Sequence, residues 1–386
     1  MISKGYKHTE LGVLPEDWEV VKLGDVGKII GGGTPSTKKV EFWSGTIPWI
    51  SSSDIDENSV FDISQTRYIT QEAISKSSTK PIEPNSILIV SRVGLGKVAV
   101  NQNVLCTSQD IQALTQHKQN AFFLVYAVKN LVSLACRINQ GTSIKGFTKE
   151  VLSNLCIPLP PLAEQERIAE ILSTWDTQIQ NFESLITEKQ NLKKGLCQTL
   201  LTAKTRLKGF SEDWEVARLG EIAEIKTGDS NREDSTESGG AYTFFDRSQD
   251  IRTSNRYLFD CEAIIVGGEG SDFVPKYFEG KFDLHQRSYA ITKAKACIKY
   301  LYYFITQYRN FFLKMAVGST VKSLRMNCFT EFPILFPPLA EQEKIAEILS
   351  EADNEITLLE QKLESLKSQK SGLMQNLLNG KVRVCQ

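Results

Sequence analysis

The sequence predicts an α+β protein made by internal duplication. Two β-rich α/β globular domains are separated by two long antiparallel coiled-coil helices, with pseudo-twofold symmetry. Three observations predict this. The segment Glu16-Asp17-Trp18-Glu19-Val20-Val21-Lys22-Leu23-Gly24 recurs as Glu212-Asp213-Trp214-Glu215-Val216-Ala217-Arg218-Leu219-Gly220. A second segment, residues 160–173, recurs at 337–350 with only Arg167 changed, to Lys344. After each copy of that second segment, apolar residues step by fours and threes over a long run, the signature of a coiled-coil seam rather than a globular helix face.

The chain has 386 residues, 41% hydrophobic and 24% charged, which excludes disordered and collagen-like classes. Single domains usually hold roughly 100–200 residues, so more than one is expected. No apolar run approaches the ~20 residues of a membrane span. The opening Met1-Ile2-Ser3-Lys4-Gly5-Tyr6 lacks the apolar core of a secretory signal, so a cytoplasmic location without a membrane partner is expected. Eight cysteines form no CxxC pair and the histidines are His8, His117 and His285, so no metal site is expected and the thiols should be reduced and mostly buried. The net charge of -1 gives no global sign of a polyanionic partner, but such binding needs a basic face rather than a basic total.

The repeat fixes the organisation: globular residues 1–157, helical 158–208, globular 209–334, helical 335–386. The first anchor is offset by 196 residues and the second by 177, so the second copy lacks 19 residues between them. Strand-like runs occur at 86–90 and 263–266, and apolar helical stretches at 121–137 and 298–314. Those helical stretches align at the offset of 177. Gly141-Thr142-Ser143-Ile144-Lys145 and Gly318-Ser319-Thr320-Val321-Lys322 align in the same way. The middles of the two globular parts diverge.

Double prolines, Pro160-Pro161 and Pro337-Pro338, stop the preceding element, and a long helix follows each. The first ladder is Ile168, Leu172, Trp175, Ile179, Phe182, Ile186, Lys189, Lys193, Leu196 and Leu200. The second is Ile345, Leu349, Ala352, Ile356, Leu359, Leu363, Leu366, Lys370, Leu373 and Leu377. Residues 164–201 as a helix span about 57 Å. So long a seam must be buried, and the other copy is the nearest partner. A parallel homodimeric coil is the alternative. Trp175 is expected to be buried in the seam. Lys189, Lys193 and Lys370 set its register, face an acidic partner helix, or snorkel to solvent with no particular role. In the antiparallel arrangement the segment after the second helix falls near the N-terminal segment, and two near-identical helical surfaces offer two equivalent docking sites.

With these residues in view, the chain resembles the DNA specificity subunits of type I restriction–modification systems. The resemblance covers essentially the whole sequence. It rests on the paired PPLAEQE(R/K)IAEIL segments, the Trp18 and Trp214 openings, and Gly32-Gly33-Thr34-Pro35-Ser36 with Phe42-Trp43 and Ile47-Pro48-Trp49-Ile50. It implies two target-recognition domains, each reading half of a split double-stranded DNA site, spaced by the helices. It further implies two docked methyltransferase subunits and associated restriction (translocase) subunits. No catalytic residue or cofactor is then expected on this chain; AdoMet, ATP and Mg²⁺ would belong to its partners. A ~57 Å rod bounds the separation of the half-sites at about 17 base pairs. Because the globular middles differ, the target should be asymmetric.

Phosphate contact favours Lys, Arg and hydroxyls, and base reading favours Arg, Lys, Asn and Gln. The candidates in the first domain are Lys38, Lys39, Arg92, Lys97, Ser143 and Lys145. In the second they are Arg232, Arg247, Arg252, Arg256, Arg287, Lys322 and Arg325. Residues 1–160 carry a net charge of +2 and residues 211–336 one of -2, so folding must create any basic face. Gly94-Leu95-Gly96-Lys97 resembles a phosphate cradle, but Val98 stands where Ser or Thr is needed, and a tight turn between strands is expected. Glu224-Ile225-Lys226 and Glu279-Gly280-Lys281 match a triplet used by nucleases and are read as structural or surface residues. Trp43 and Trp49 could stack on bases, but the flanking Phe42, Ile47 and Ile50 favour core packing. Two rival functions remain: a coiled-coil scaffold with no DNA role, and a stand-alone nuclease using one of the triplets.

Overall fold

The computed structural model describes residues 4–138, 146–236, 239–247 and 249–384. It divides into two compact units, residues 1–183 with 362–386, and residues 184–361. Each unit contains one globular part together with stretches of both long helices.

In unit 1 an antiparallel sheet runs in the order Lys28–Gly31, Ile111–Thr115, Ile87–Val90, Val98–Val100. Ile87-Leu88-Ile89-Val90 is buried at every position because the sheet is covered on both faces. Ile87, Ile89, Val98 and Val100 share a core with Phe123, Leu124 and Tyr126 of the helix Ala121–Ile138. Leu88, Val90 and Ala99 pack instead with Ile50, Ile55, Ile82 and Leu105, part of the divergent middle. Phe42 and Trp49 are buried with Trp43 packed against them, which bears out the core reading. Trp49 Nε1 donates to the carbonyl of Gly33 at 2.9 Å.

Unit 2 repeats this frame. The strands Glu224–Thr227, Ser288–Thr292, Phe259–Gly267 and Lys276–Leu284 follow the same order, and Tyr242–Phe245 and Ile251–Ser254 extend them to a six-stranded sheet. The register is the same: Thr115 pairs with Lys28, and Thr292 pairs with Glu224, at offsets of 177 and 196. The length difference therefore falls between the first strand and the central one. Gly32 and Gly228 leave the first strand at matching points, where a Cβ would lie 2.2 Å from the Ser108 carbonyl oxygen and 1.8 Å from that of Leu284. No side chain fits at either place.

The expected helix at 298–314 is two helices, Ile298–Gln307 and Asn310–Met315. The break turns both Phe311 and Phe312 onto Phe332, with ring centroids 5.0 Å apart in each pair. Aromatic packing here outweighs helical continuity.

The long helices are Leu162–Leu200 and Leu339–Leu378, about 58 and 60 Å long. None of the twenty ladder positions is exposed. The helices pair with each other, antiparallel, rather than being left for a parallel homodimer. In unit 1, Asp176 meets Lys370 at 2.5 Å and Glu183 meets Lys367 at 2.9 Å. In unit 2, Lys189 meets Glu355 at 2.6 Å and Lys193 meets Asp353. Every lysine that interrupts a ladder therefore faces an acid on the opposite helix. Trp175 departs from expectation by remaining only half-buried. Asp176, 8% exposed, takes the inward place at that turn.

Polar networks repeat with the fold. Tyr126 Oη donates to Asp176 at 2.5 Å, and Tyr303 Oη donates to Asp353 at 2.8 Å. Lys370 lies 5.3 Å from the Tyr126 ring centroid, and Lys193 5.5 Å from that of Tyr303. Burial, and then the Asp176 charge, push the Tyr126 hydroxyl far above its ordinary value, so it stays a donor.

At the start of each long helix, Trp18 Nε1 donates to Glu164 and Trp214 Nε1 to Glu341, both at 2.9 Å. Arg383 pairs with Glu164 at 2.8 Å, and its counterpart Arg206 pairs with Glu341 at 2.8 Å. Arg383 also binds Asp17 at 2.7 Å, and the Tyr6 hydroxyl donates to the Gly380 carbonyl at 3.1 Å. The segment after the second helix thus packs on the N-terminal segment of unit 1, as the repeat implied. The seven described cysteines are free; three are buried and four half-buried, and Cys385 lies outside the described residues. Among the described residues no helix is long and apolar enough to cross a membrane.

Candidate nucleic-acid interface

Three segments of the shared frame meet at one end of two neighbouring inner strands in each sheet. Ser91 N donates to the Asp110 carbonyl at 2.8 Å and Gly268 N to that of Arg287 at 2.9 Å. Phe147 N donates to the Ser91 carbonyl and Leu324 N to that of Gly268, both at 2.8 Å. These atoms correspond at the offset of 177. The frame therefore presents the turns 108–110 and 285–287, and the residues following each central strand, in the same way in both units.

Frame and side chains differ in what they carry. In unit 1, Lys38, Lys39 and Arg92 are exposed, with Lys39 4.9 Å from the Phe42 ring centroid. Arg92 begins the turn between Ile87–Val90 and Val98–Val100, where Gly94 and Gly96 adopt φ of 83° and 97°. That turn is the one expected in place of a phosphate cradle. Lys97 points inward: its Nζ donates to the Ile55 carbonyl at 2.8 Å and that of Ser52 at 3.3 Å. Ser143 and Lys145 lie outside the described residues.

In unit 2, Arg232, Arg247, Arg252 and Arg287 line one open concavity of about 780 Å³, together with Asn231 and Gln286. Each arginine is held. Arg232 pairs with Asp246 at 2.9 Å and Asp250 at 3.2 Å, and Arg252 donates to Ser235 Oγ at 3.0 Å. Arg247 meets Glu269 at 3.3 Å, and Arg287 binds the other oxygen of the same carboxylate. Beside the concavity, Arg256 pairs with Asp229 and lies 3.5 Å from buried Asp283. Lys322 and Arg325 are exposed just before the helix Met326–Thr330.

His285 shapes the turn. Its Nδ1 accepts from Arg287 N at 3.0 Å, and burial pushes its pKa below the ordinary value, which keeps it neutral and able to accept. Such fixed guanidinium groups carry rigid arrays of donors that suit phosphate oxygens and base edges.

The candidate set did not include Gln109 and Gln286, which occupy the same place in the two turns. Gln109 accepts from Thr34 Oγ1 at 2.5 Å, and Gln286 donates to Asn231 Oδ1 at 2.6 Å. The offset of 177 alone would have paired them. The acids that aim the arginines, Asp246, Glu269 and Asp283, carried no such signal.

The nuclease-like triplets belong to surface networks. Glu224 pairs with Lys226 at 2.5 Å and Lys293 at 3.0 Å, and hydrogen bonds from these two lysines hold its carboxyl below the ordinary range. Glu279 accepts at 3.5 Å from the Tyr277 hydroxyl. Among the described residues, no three His, Cys, Asp or Glu side chains gather to hold a metal ion.

The family model described as the type I restriction modification DNA specificity domain matches twice, at residues 15–191 and 211–368. The MjaVIII type I restriction enzyme specificity subunit of Methanocaldococcus jannaschii is 26% identical, over 96% of this chain and 94% of its own. The MjaIX specificity subunit of the same organism is 30% identical over 58% of this chain, a match spanning about half of that relative, 55%. The EcoR124I/EcoR124II specificity subunit of Escherichia coli is 39% identical over 42% of this chain and 41% of its own. The crystal structure of a type I restriction–modification S subunit from M. genitalium shares the fold, with a TM-score of 0.63 at 18% identity, covering 94% of this chain and 96% of that one.

Proposed function

The chain belongs to the type I restriction–modification DNA specificity family, and from that premise we propose that it reads a split, asymmetric DNA target and docks two methyltransferase subunits. In this reading it is the non-catalytic recognition subunit of its complex. AdoMet-dependent adenine methylation and ATP- and Mg²⁺-dependent cleavage reside in methyltransferase and restriction subunits.

One observation carries the proposal: a single frame site occurs twice, bearing different side chains each time. Arg287 stands where unit 1 has Asp110, on matching hydrogen bonds from Gly268 N and Ser91 N, and Glu269 follows Gly268 as Arg92 follows Ser91. Equal frames favour equal modes of approach to the duplex, and unequal side chains favour unequal half-sites. The long helices, at about 58 Å, limit the gap between half-sites to roughly 17 base pairs.

The repeated helix starts support two equivalent docking sites. Glu164, Gln165, Ile168 and Leu172 are buried, as are Glu341, Gln342, Ile345 and Leu349, so packing accounts for their identity. Packing makes no such demand on Leu162, Ala163, Glu166 and Glu170, which are exposed. They recur unchanged as Leu339, Ala340, Glu343 and Glu347, also exposed. A second copy of one partner explains that identity.

Exchange of residues 209–334 for the corresponding part of another specificity subunit tests the reading. One half of the methylated motif should change and the other stay intact. A change in both halves, or in neither, would contradict separate reading by the two units.

A further inference from the structure

Glu269 is 15% exposed by side chain and ties together two arginines from different loops, Arg247 after the strand Tyr242–Phe245 and Arg287 before the strand Ser288–Thr292. Backbone bonds fix all three positions. Glu269 N donates to the Arg247 carbonyl at 3.2 Å, Gly268 N to the Arg287 carbonyl at 2.9 Å, and His285 N to the Phe245 carbonyl at 3.0 Å. Each arginine meets Glu269 through a single terminal nitrogen, and the side chains remain 43% and 60% exposed where they line the concavity, so most of their N–H donors are not spent on that carboxylate. A guanidinium tethered at one nitrogen can present two parallel N–H donors at a smaller cost in rotamer freedom. The acceptor pair that matches such a fork in the major groove is O6 and N7 of guanine.

We propose that Arg287 and Arg247, aimed by Glu269, read guanine in the half-site of unit 2, with Glu269 as a positioning residue. This rests on the DNA-reading role proposed above and assigns its base chemistry. It also separates the half-sites. At the place of Arg287, unit 1 carries Asp110, a carboxylate that accepts from cytosine N4 and repels the guanine acceptors. If Asp110 faces the duplex as Arg287 does, the two halves carry different bases there.

The test is selection of bound duplexes from a randomised double-stranded pool, using the full chain assembled with its methyltransferase subunits. The wild type should enrich a bipartite motif with guanine in the unit 2 half. Arg287→Ala should relax one guanine position by roughly 5- to 150-fold and leave every other position intact. Arg287→Lys keeps the charge but loses the fork, so it should retain overall binding and still relax that position. Glu269→Gln should relax the same position while preserving the fold. Uniform weakening across all sequences would make Arg287 a phosphate contact and overturn the proposal, as would an unchanged motif. A wild type that enriches no bipartite motif would instead overturn the DNA-reading role itself.

Discussion

Trp18→Ala is expected to cost unit 1 about 4 kcal/mol or more. The indole is 0% exposed and sits in the main core of the unit with Leu14, Leu23 and Ile168. Truncating so large a buried ring costs about 3–5 kcal/mol through lost transfer energy and the cavity left behind. The change also removes the 2.9 Å donor to Glu164, a carboxylate only 7% exposed. Arg383 remains on that carboxylate, so its charge is not orphaned and the added penalty stays near 1 kcal/mol. Trp214, which makes the same bond in unit 2, is only half-buried, so Trp214→Ala should cost about half as much. Hydrogen exchange of the ribbon formed by Glu19–Lys22 and Cys156–Leu159 reads the first effect, and that of Glu215–Arg218 and Pro333–Phe336 the second. Equal losses in the two ribbons would refute the burial argument.

The second large effect is at the helix lock. Lys370 and Asp176 are 14% and 11% exposed by side chain, against 26% and 35% for Lys193 and Asp353. Lys370→Met leaves a buried carboxylate with Tyr126 as its remaining donor. Breaking a buried pair from one side costs about 3–5 kcal/mol, and the surviving tyrosine bond places this case near 3 kcal/mol. Lys193→Met should cost about 1 kcal/mol, because water reaches its partner. The double variant Lys370→Met with Asp176→Asn removes the charge and keeps an acceptor for Tyr126. It should recover at least half of the loss, a coupling that a double-mutant cycle measures. Additive costs would mean that the pair contributes nothing beyond its two side chains.

Much of this architecture is legible in the sequence because duplication and periodicity are local signals. The ladders identify both seams, and the matched anchors identify the frame to the residue. The lysines that break the ladders are visible, but Asp176 and Asp353 are not. They lie one residue beyond the ladder positions of Trp175 and Ala352, and only the drift of a 3.6-residue helix against its seam turns them inward. The same drift leaves Trp175 half-buried. The division of the 298–314 stretch depends on Phe332, distant in sequence, and no local pattern announces it.

The proposed reading site leaves a trace in composition and none in the local spacing of residues. Arginine-rich loops mark unit 2, yet the cluster exists because Arg247, Glu269 and Arg287 are brought together from three separate segments. Lys97 shows the converse. Beside glycines it looks like an exposed turn residue, but it spends its donors on the carbonyls of Ser52 and Ile55, in the part of unit 1 where the two copies diverge.

In the proposed function, one frame used twice presents unlike chemistry to DNA. Mapping the methylated adenines across the genome of the host tests it most directly. One bipartite motif is expected, with two unlike halves separated by a fixed stretch of unread base pairs. A palindromic motif, or a single uninterrupted one, would contradict it.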